Sequence, residues 1–256
     1  MFDDGNAYQR FMGRWSDRVA ATFVADLDVP DDRWWLDVGC GSGALLAAVL
    51  DAHRPARLIG VDPSSAQLTL AQQRLATAPR LELVVGSAEA IALDDDRVDA
   101  VVTGLALNFC PDPQAALAEL CRVARPGGTI AGYVWDYRHP DFFLNRYWQA
   151  AELEGVPGSA DERDRWPVCT DAGIAALLTS HPGAVRGSLV IDTPFGSHDD
   201  LWDGFLLGIG PAGAHLAGLA DDDRARLRNR LRVVVDHAGG PEAMTARALT
   251  FCIPVP

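Results

Sequence analysis

An apolar run, Trp34-Trp35-Leu36-Asp37-Val38, passes straight into Gly39-Cys40-Gly41-Ser42-Gly43, and an apolar helical pattern (Leu45, Leu46, Val49) follows at once. Few folds accept that junction. A buried strand must end in a turn with almost no side chains, and a helix must begin immediately. Such a turn lets a ligand approach the backbone, and the helix start offers N–H groups without intrahelical partners. A second strand, Arg57–Asp62, ends in an acid placed to take two ribose hydroxyls. Together these describe a site for a nucleoside-containing cofactor.

The alternation continues along the chain. Residues 7–28 carry Phe11, Trp15, Val19, Phe23 and Leu27 at steps of four, which predicts a helix. Ser64 and Gln67 are spaced as a capping box ahead of a helix reaching about Thr77. Leu81–Val85 and Val98–Thr103 read as strands. Asp112-Pro113 starts a helix with Ala116, Leu117, Leu120, Val123 and Ala124 on one face, stopped by Pro126-Gly127-Gly128. Thr129–Trp135 is a fifth strand. Strict strand–helix alternation with buried-type strands predicts an α/β, doubly wound, mostly parallel sheet. Val185–Thr193 and Leu249–Ile253 bring the strands to seven. Residues 140–167 show no clear period, and Ala172–Leu178 reads as a short helix after Thr170-Asp171. Between the last two strands, residues 194–246 read as a helical lid insertion. Its helix near 224–235 carries Arg224, Arg226, Arg228, Arg230 and Arg232 as a solvated face, with Leu227 and Leu231 turned inward.

Composition removes whole chemistries. The net charge is −13, which argues against a nucleic-acid partner. All 22 cationic residues are arginine, so a pyridoxal Schiff base, a lysine general base and a Walker-type loop are excluded. Cys40, Cys110, Cys121, Cys169 and Cys252 have no metal-ligand or redox spacing and read as reduced core residues. The six histidines form no zinc motif, and no metal is expected. Neither a signal pattern nor an apolar run of about 20 residues is present, so no membrane partner and a cytoplasmic setting are expected.

A glycine turn alone does not choose the cofactor. Gly39, Gly41 and Ala44 satisfy a loose dinucleotide pattern, with Asp62 at a suitable distance, so a nicotinamide cofactor competes. Two features oppose it. Asp37, at the strand end, would repel a pyrophosphate lying on the same turn and suits a ligand with an ammonium and no phosphate. The tight Gly39/Gly41/Gly43 spacing leaves room for a compact amino-acid tail. A turn acid bonding its own backbone is the competing reading of Asp37.

At this point the chain resembles a known family. Leu36-Asp37-Val38-Gly39-Cys40-Gly41-Ser42-Gly43, Val61-Asp62-Pro63-Ser64, Gly86-Ser87-Ala88-Glu89-Ala90 and Arg122-Val123-Ala124-Arg125-Pro126-Gly127-Gly128 are similar to motifs of class I S-adenosylmethionine-dependent methyltransferases, in particular the small-molecule type 11 subgroup. The resemblance covers roughly residues 7–135, and Tyr8–Ser16 and Leu207–Ala214 resemble segments of one bacterial branch. It implies a Rossmann-like fold and S-adenosylmethionine as cofactor, with S-adenosylhomocysteine as product. It also implies one methyltransferase domain over 1–256: cap helices 1–30, a cofactor-binding core 31–137, and acceptor-side strands 138–256 with the insertion 194–246. By the same resemblance Asp37, Gly39 and Gly41 line the methionine end. Asp62 holds the ribose, beside Pro63. Ser87, Ala88 and Glu89 meet the adenine, and Leu105 to Asn108 pass near the transferable methyl. Relatives often carry Asp where this chain has Ser87, and Glu89 is placed to substitute. Tyr8 and Arg14 are candidates to cover the cofactor and pair with its carboxylate, with an ordinary surface arginine as the competing reading of Arg14.

A sulfonium methyl is already electrophilic, so the protein chiefly aligns the reactants and excludes water. No catalytic base is assigned. Tyr137 and His139 are the candidates after strand five, and Trp135, Tyr137, His139, Trp202 and Phe205 are candidates for the acceptor pocket. Gly204, Gly208, Gly210 and Gly213 suggest a lid that closes on binding. A small neutral or apolar, aromatic acceptor is expected, methylated on O, N or C. Two other readings stay open: a methyltransferase-fold binder or cyclase that transfers no methyl, and a nicotinamide-dependent reductase.

Overall fold

The computed structural model describes residues 9–256, and Tyr8 lies outside the described residues. Five strands run parallel: β1 (Trp34–Val38), β2 (Arg57–Asp62), β3 (Leu81–Val85), β4 (Val98–Gly104) and β5 (Ala124–Trp135). β6 (Val185–Asp192) and β7 (Thr245–Pro254) complete a seven-stranded sheet in the order β3-β2-β1-β4-β5-β7-β6, with β7 antiparallel to both its neighbours. The central strands are buried as their unbroken apolar runs require; Trp35, Leu36 and Val101 are fully inaccessible. Strand order reverses between β1 and β4. At such a switch point the loops diverge to opposite faces and leave a crevice at the carboxyl ends. Register places Asp37 beside Gly60 of β2 and Val102 of β4, at the floor of that crevice.

Ten α-helices flank the sheet among the described residues: α1 (Arg14–Ala25), α2 (Ala44–Ala52), α3 (Ser65–Arg74), α4 (Pro113–Val123), α5 (Phe143–Leu153), α6 (Glu162–Arg165), α7 (Asp171–Leu177), α8 (His198–Leu206), α9 (Gly210–Gly218) and α10 (Asp221–His237). A π-helical turn, Gln9–Gly13, leads into α1. The helix starts are fixed by local chemistry. Ser64 Oγ accepts from the Gln67 N–H at 3.3 Å, Asp112 from those of Gln114 and Ala115 at 3.0 Å, and Thr170 from that of Gly173 at 2.9 Å.

Several boundaries differ from expectation, among them β7, which begins at Thr245 and not Leu249 and so takes the last two residues of the expected 194–246 insertion. α4 stops at Val123, and β5 begins at Ala124, five residues before the expected Thr129. Pro126 forces Arg125 out of helical backbone, and a bulge between Val98 and Ala100 lets Arg125 reach Asp99 at 3.0 Å. α5 forms where no period was expected. Phe143, Leu144, Tyr147, Trp148 and Ala151 bury one face of it, but Phe142 at its N-cap supplies no side-chain bond.

The 194–246 insertion folds as α8, α9 and α10 against α5 and the segment before α1. Phe205 stacks on Tyr147 at 4.5 Å and meets Phe11 edge-on at 5.2 Å. A Cβ at Gly204 would fall 2.2 Å from the Phe11 ring, so this glycine serves close packing and not hinge motion. On α10, Arg226 and Arg230 pair with Glu154 at 3.3 and 3.0 Å, while Leu227 and Leu231 are buried.

Candidate functional site

The crevice at the ends of β1 and β4 opens into a cleft of about 1030 Å³. Its floor is the glycine turn. Gly39, Gly41 and Gly43 all adopt positive φ, at 75°, 50° and 87°. A Cβ on Gly39 would lie 2.3 Å from the Ala106 Cβ, whereas one on Gly41 would meet nothing within 4 Å. The first glycine therefore lets β1 and the loop after β4 close together, and the second leaves its space to a ligand. Asp62 fastens the turn: its carboxylate accepts from the Gly41 N–H and from the Ser64 N–H, each at 2.9 Å.

Asp37 is the electrostatic anomaly. It is fully buried, and neither carboxylate oxygen has a hydrogen-bond partner. Burial, and secondarily the neighbouring Asp62 charge, hold its pKa well above the usual carboxylate range. The same burial and the two acids push the Cys40 thiol up, so it stays protonated and inert. A carboxyl kept without hydrogen-bond partners beside a ligand cleft is placed to ionise against an arriving cation, and a phosphate on this turn would oppose that ionisation.

At the β3 end, the Ser87 hydroxyl bonds one carboxylate oxygen of Glu89 and accepts from the Glu89 N–H at 3.2 Å. The other oxygen, Glu89 Oε1, is buried without a partner. Beyond β4, Leu105 takes φ 57°, a strained value for leucine, and its N–H donates to the Tyr133 carbonyl at 2.9 Å. Asn108 follows, buried, with its Nδ2 unpartnered. Asp37, Gly39, Gly41, Asp62, Pro63, Ser87, Ala88, Glu89, Leu105 and Asn108 thus all line one cleft.

The acceptor-side candidates fall elsewhere. Trp135 is buried against Phe142, because the last residue of β5 joins the core. His139 meets Thr245 Oγ1 at 3.0 Å, and burial lowers its pKa. Trp202 and Phe205 are buried within the insertion, and Trp202 borders a separate hollow with Arg228. Tyr137 does not line the cleft; its ring lies tilted against that of the lining residue Trp166, with centroids 5.2 Å apart. Arg14 is held by Asp200 at 3.7 Å and lies over the Trp15 and Phe195 rings, so α1 reaches the cleft through Ser16 instead. Tyr133, Arg165 and Trp166 line the cleft and carried no motif. Their only sequence signal is the aromatic-and-charge composition of 140–167 and an aromatic inside strand five.

Residues 36–132 match the family model described as a methyltransferase domain. That segment of the chain, from β1 to β5, is similar to a methyltransferase domain. A demethylmenaquinone methyltransferase from Shouchella clausii is 38% identical over 110 residues, covering 42% of this chain and 47% of that protein. A malonyl-[acyl-carrier protein] O-methyltransferase from Methylococcus capsulatus is 34% identical over 102 residues, covering 40% and 37%. The matched segments thus span less than half the length of these relatives. Among solved structures, YcgJ from Bacillus subtilis superposes with a TM-score of 0.58 at 17% identity, covering 95% of this chain and 99% of that one. The [4+2]-cyclase SpnF superposes with 0.55 at 20% identity, covering 94% and 82%. These two share the fold. The matched segment contains the glycine turn, Asp62, Glu89 and Asn108.

Proposed function

We propose that this chain binds S-adenosylmethionine in the cleft and transfers its methyl group to a small acceptor with an aromatic body. The observation that carries the reading is Asp37: a buried carboxylate with no donor, at a glycine turn, is a receptor for the ammonium of the cofactor's amino-acid tail. Gly41 leaves the tail its space, and the Asp62 carboxylate, already oriented by two N–H groups, takes the ribose hydroxyls beside Pro63. Glu89, held by Ser87, offers Oε1 to the exocyclic amine of the adenine, with Ala88 alongside. When bound, the cofactor supplies a sulfonium methyl that is electrophilic without further activation.

The chain's own work is then to hold, align and dry the reactants. Leu105 and Asn108 border the reacting region from the end of β4, and the Asn108 Nδ2 is free to donate to an acceptor oxygen. Phe109, Tyr133 and Trp166 give the acceptor an apolar, aromatic wall. His139 and Tyr137 are not on that wall, so the reading uses an acceptor that is nucleophilic as bound and assigns no general base. The test is incubation with cofactor labelled in its methyl group against a panel of phenols, amines and β-dicarbonyls. Label recovered in an acceptor supports transfer. Tight cofactor binding with no transfer across the panel favours a cyclase-type use of the fold, which SpnF shows is available to it. Binding of NAD(P)H without S-adenosylhomocysteine would defeat both.

A further inference from the structure

The cleft divides its charge by strand order. Its acids are Asp37 near the end of β1, Asp62 at the end of β2 and Glu89 after β3, and its lining cation, Arg165, comes from α6 beyond β5. Next to Arg165 stands an aromatic wall. Trp166 is half-buried and meets Phe109 edge-on at 5.2 Å; Phe109 itself is 41% exposed and lines the cleft. The Arg165 guanidinium carbon lies 5.4 Å from the centre of the Trp166 ring.

Among the described residues Arg18, Arg54, Arg80, Arg97, Arg165, Arg186 and Arg232 form no ion pair with a carboxylate, and of these Arg165 is the one that lines the cleft. On this segment the acids are already engaged. Asp161 holds Arg163 at 2.6 Å, and Asp164 holds Arg138. Glu162 is buried and accepts from the Trp148 indole N–H and the Ala212 N–H. Among the described residues no carboxylate lies within ion-pair distance of Arg165. Segment 161–166 thus anchors itself through its neighbours and presents a guanidinium with no carboxylate partner among the described residues, beside the Trp166 and Phe109 rings on the cleft.

We infer that Arg165 and Trp166 set specificity for an acceptor that is an aromatic carboxylate, its ring against Trp166 and Phe109 and its carboxylate on the Arg165 fork. A planar guanidinium matches a carboxylate with two parallel hydrogen bonds, and the adjoining ring faces suit an aryl group. This replaces the neutral acceptor suggested by composition: the global charge of −13 is distributed elsewhere, while the local charge at this wall is positive. The inference rests on the cleft being the cofactor and acceptor site.

The experiment titrates the full chain, saturated with S-adenosylhomocysteine, with 4-hydroxycinnamate and with its methyl ester, which keeps the ring and removes the charge. The acid binds about 10–100-fold more tightly than the ester. Arg165→Met abolishes that preference and leaves the dissociation constant for S-adenosylhomocysteine unchanged, Arg165→Lys restores part of it, and Trp166→Leu weakens acid and ester together. Equal binding of acid and ester overturns the inference, as does binding of neither at millimolar concentration. So does an Arg165→Met variant that loses S-adenosylhomocysteine instead, because the arginine would then serve the cofactor's own carboxylate. If the unaltered chain fails to bind S-adenosylhomocysteine, the functional reading falls first and takes this one with it. The exposed position of Arg165 keeps the variant folded, which a melting curve checks.

Discussion

Replacing Asp37 by Asn separates a ligand receptor from a structural turn acid. In the free protein the carboxylate is buried, has no donor and faces the charge of Asp62, so its ionised form is unfavourable. Asparagine keeps the shape and removes the charge. Relief of even about 1 kcal/mol raises the melting temperature by about 2–4 °C for a chain of this size. With the cofactor bound, the carboxylate would have its ammonium partner, and removing one member of a buried, hydrogen-bonded charge pair costs about 2–5 kcal/mol. Part of that is offset because the native carboxyl must first give up a tightly held proton. A net loss of about 2–3 kcal/mol, or about 30–150-fold in affinity, is expected. The pH dependence has a definite sign. A carboxyl whose pKa is raised by folding stabilises the native state at low pH, and that stability is lost as pH rises from the ordinary aspartate range through the native value. Cofactor affinity runs the other way, strengthening as Asp37 ionises. Titration calorimetry with S-adenosylhomocysteine at several pH values, beside melting curves of the free protein, measures both. Asp37→Asn flattens the affinity profile. A variant that melts lower than the parent and binds equally well would refute the argument, since Asp37 would then be a structural acid.

Asp62→Ala removes the partner of the Gly41 and Ser64 N–H groups as well as the ribose contact, so calorimetry records an affinity loss of at least about 1.5–3 kcal/mol; an unchanged constant removes Asp62 from the site. Gly41→Ala, with open space around the new methyl, costs about 1 kcal/mol in stability by denaturant titration yet blocks cofactor binding. Gly39→Ala, 2.3 Å from the Ala106 Cβ, lowers stability more; equal losses in the two variants would contradict the division of labour in the turn. Burial pushes the pKa of Glu162 up from 4.5 to about 7. The native state therefore loses roughly 3 kcal/mol of stability between those values as pH rises, and Glu162→Gln removes that slope from a series of urea titrations.

The glycine turn, the acid ending β2 and the five-strand alternation were legible in the chain because they depend on neighbours in sequence. A Ser64 or Asp112 cap bonds to N–H groups two or three residues on, and an apolar run buries a strand whichever fold surrounds it. Ten of the expected cofactor-side residues share one cleft for the same reason: each lies at or shortly after the carboxyl end of a strand, and parallel strands put those ends on one edge. The acceptor side had no such rule. Trp135, Trp202 and Phe205 have side chains suited to an acceptor pocket, but packing draws them into the interior. The start of α5 was hidden because Phe142 provides no capping bond, and that of β5 because the effect of Pro126 on the residues before it outweighed the helical pattern.

Sequence alone thus determined the strand order of events at the cofactor end, where chemistry is carried by backbone turns and single acids a few residues apart. Tertiary structure decided which aromatic groups line the cleft and which cation reaches it without a carboxylate partner. Phe109, Tyr133 and Trp166 come from three separate segments, and among the described residues Arg165 has no carboxylate partner, Asp161 and Asp164 being engaged by Arg163 and Arg138. Whether a side chain is spent on the core or left for a ligand depends on what meets it across space, and no local pattern records that.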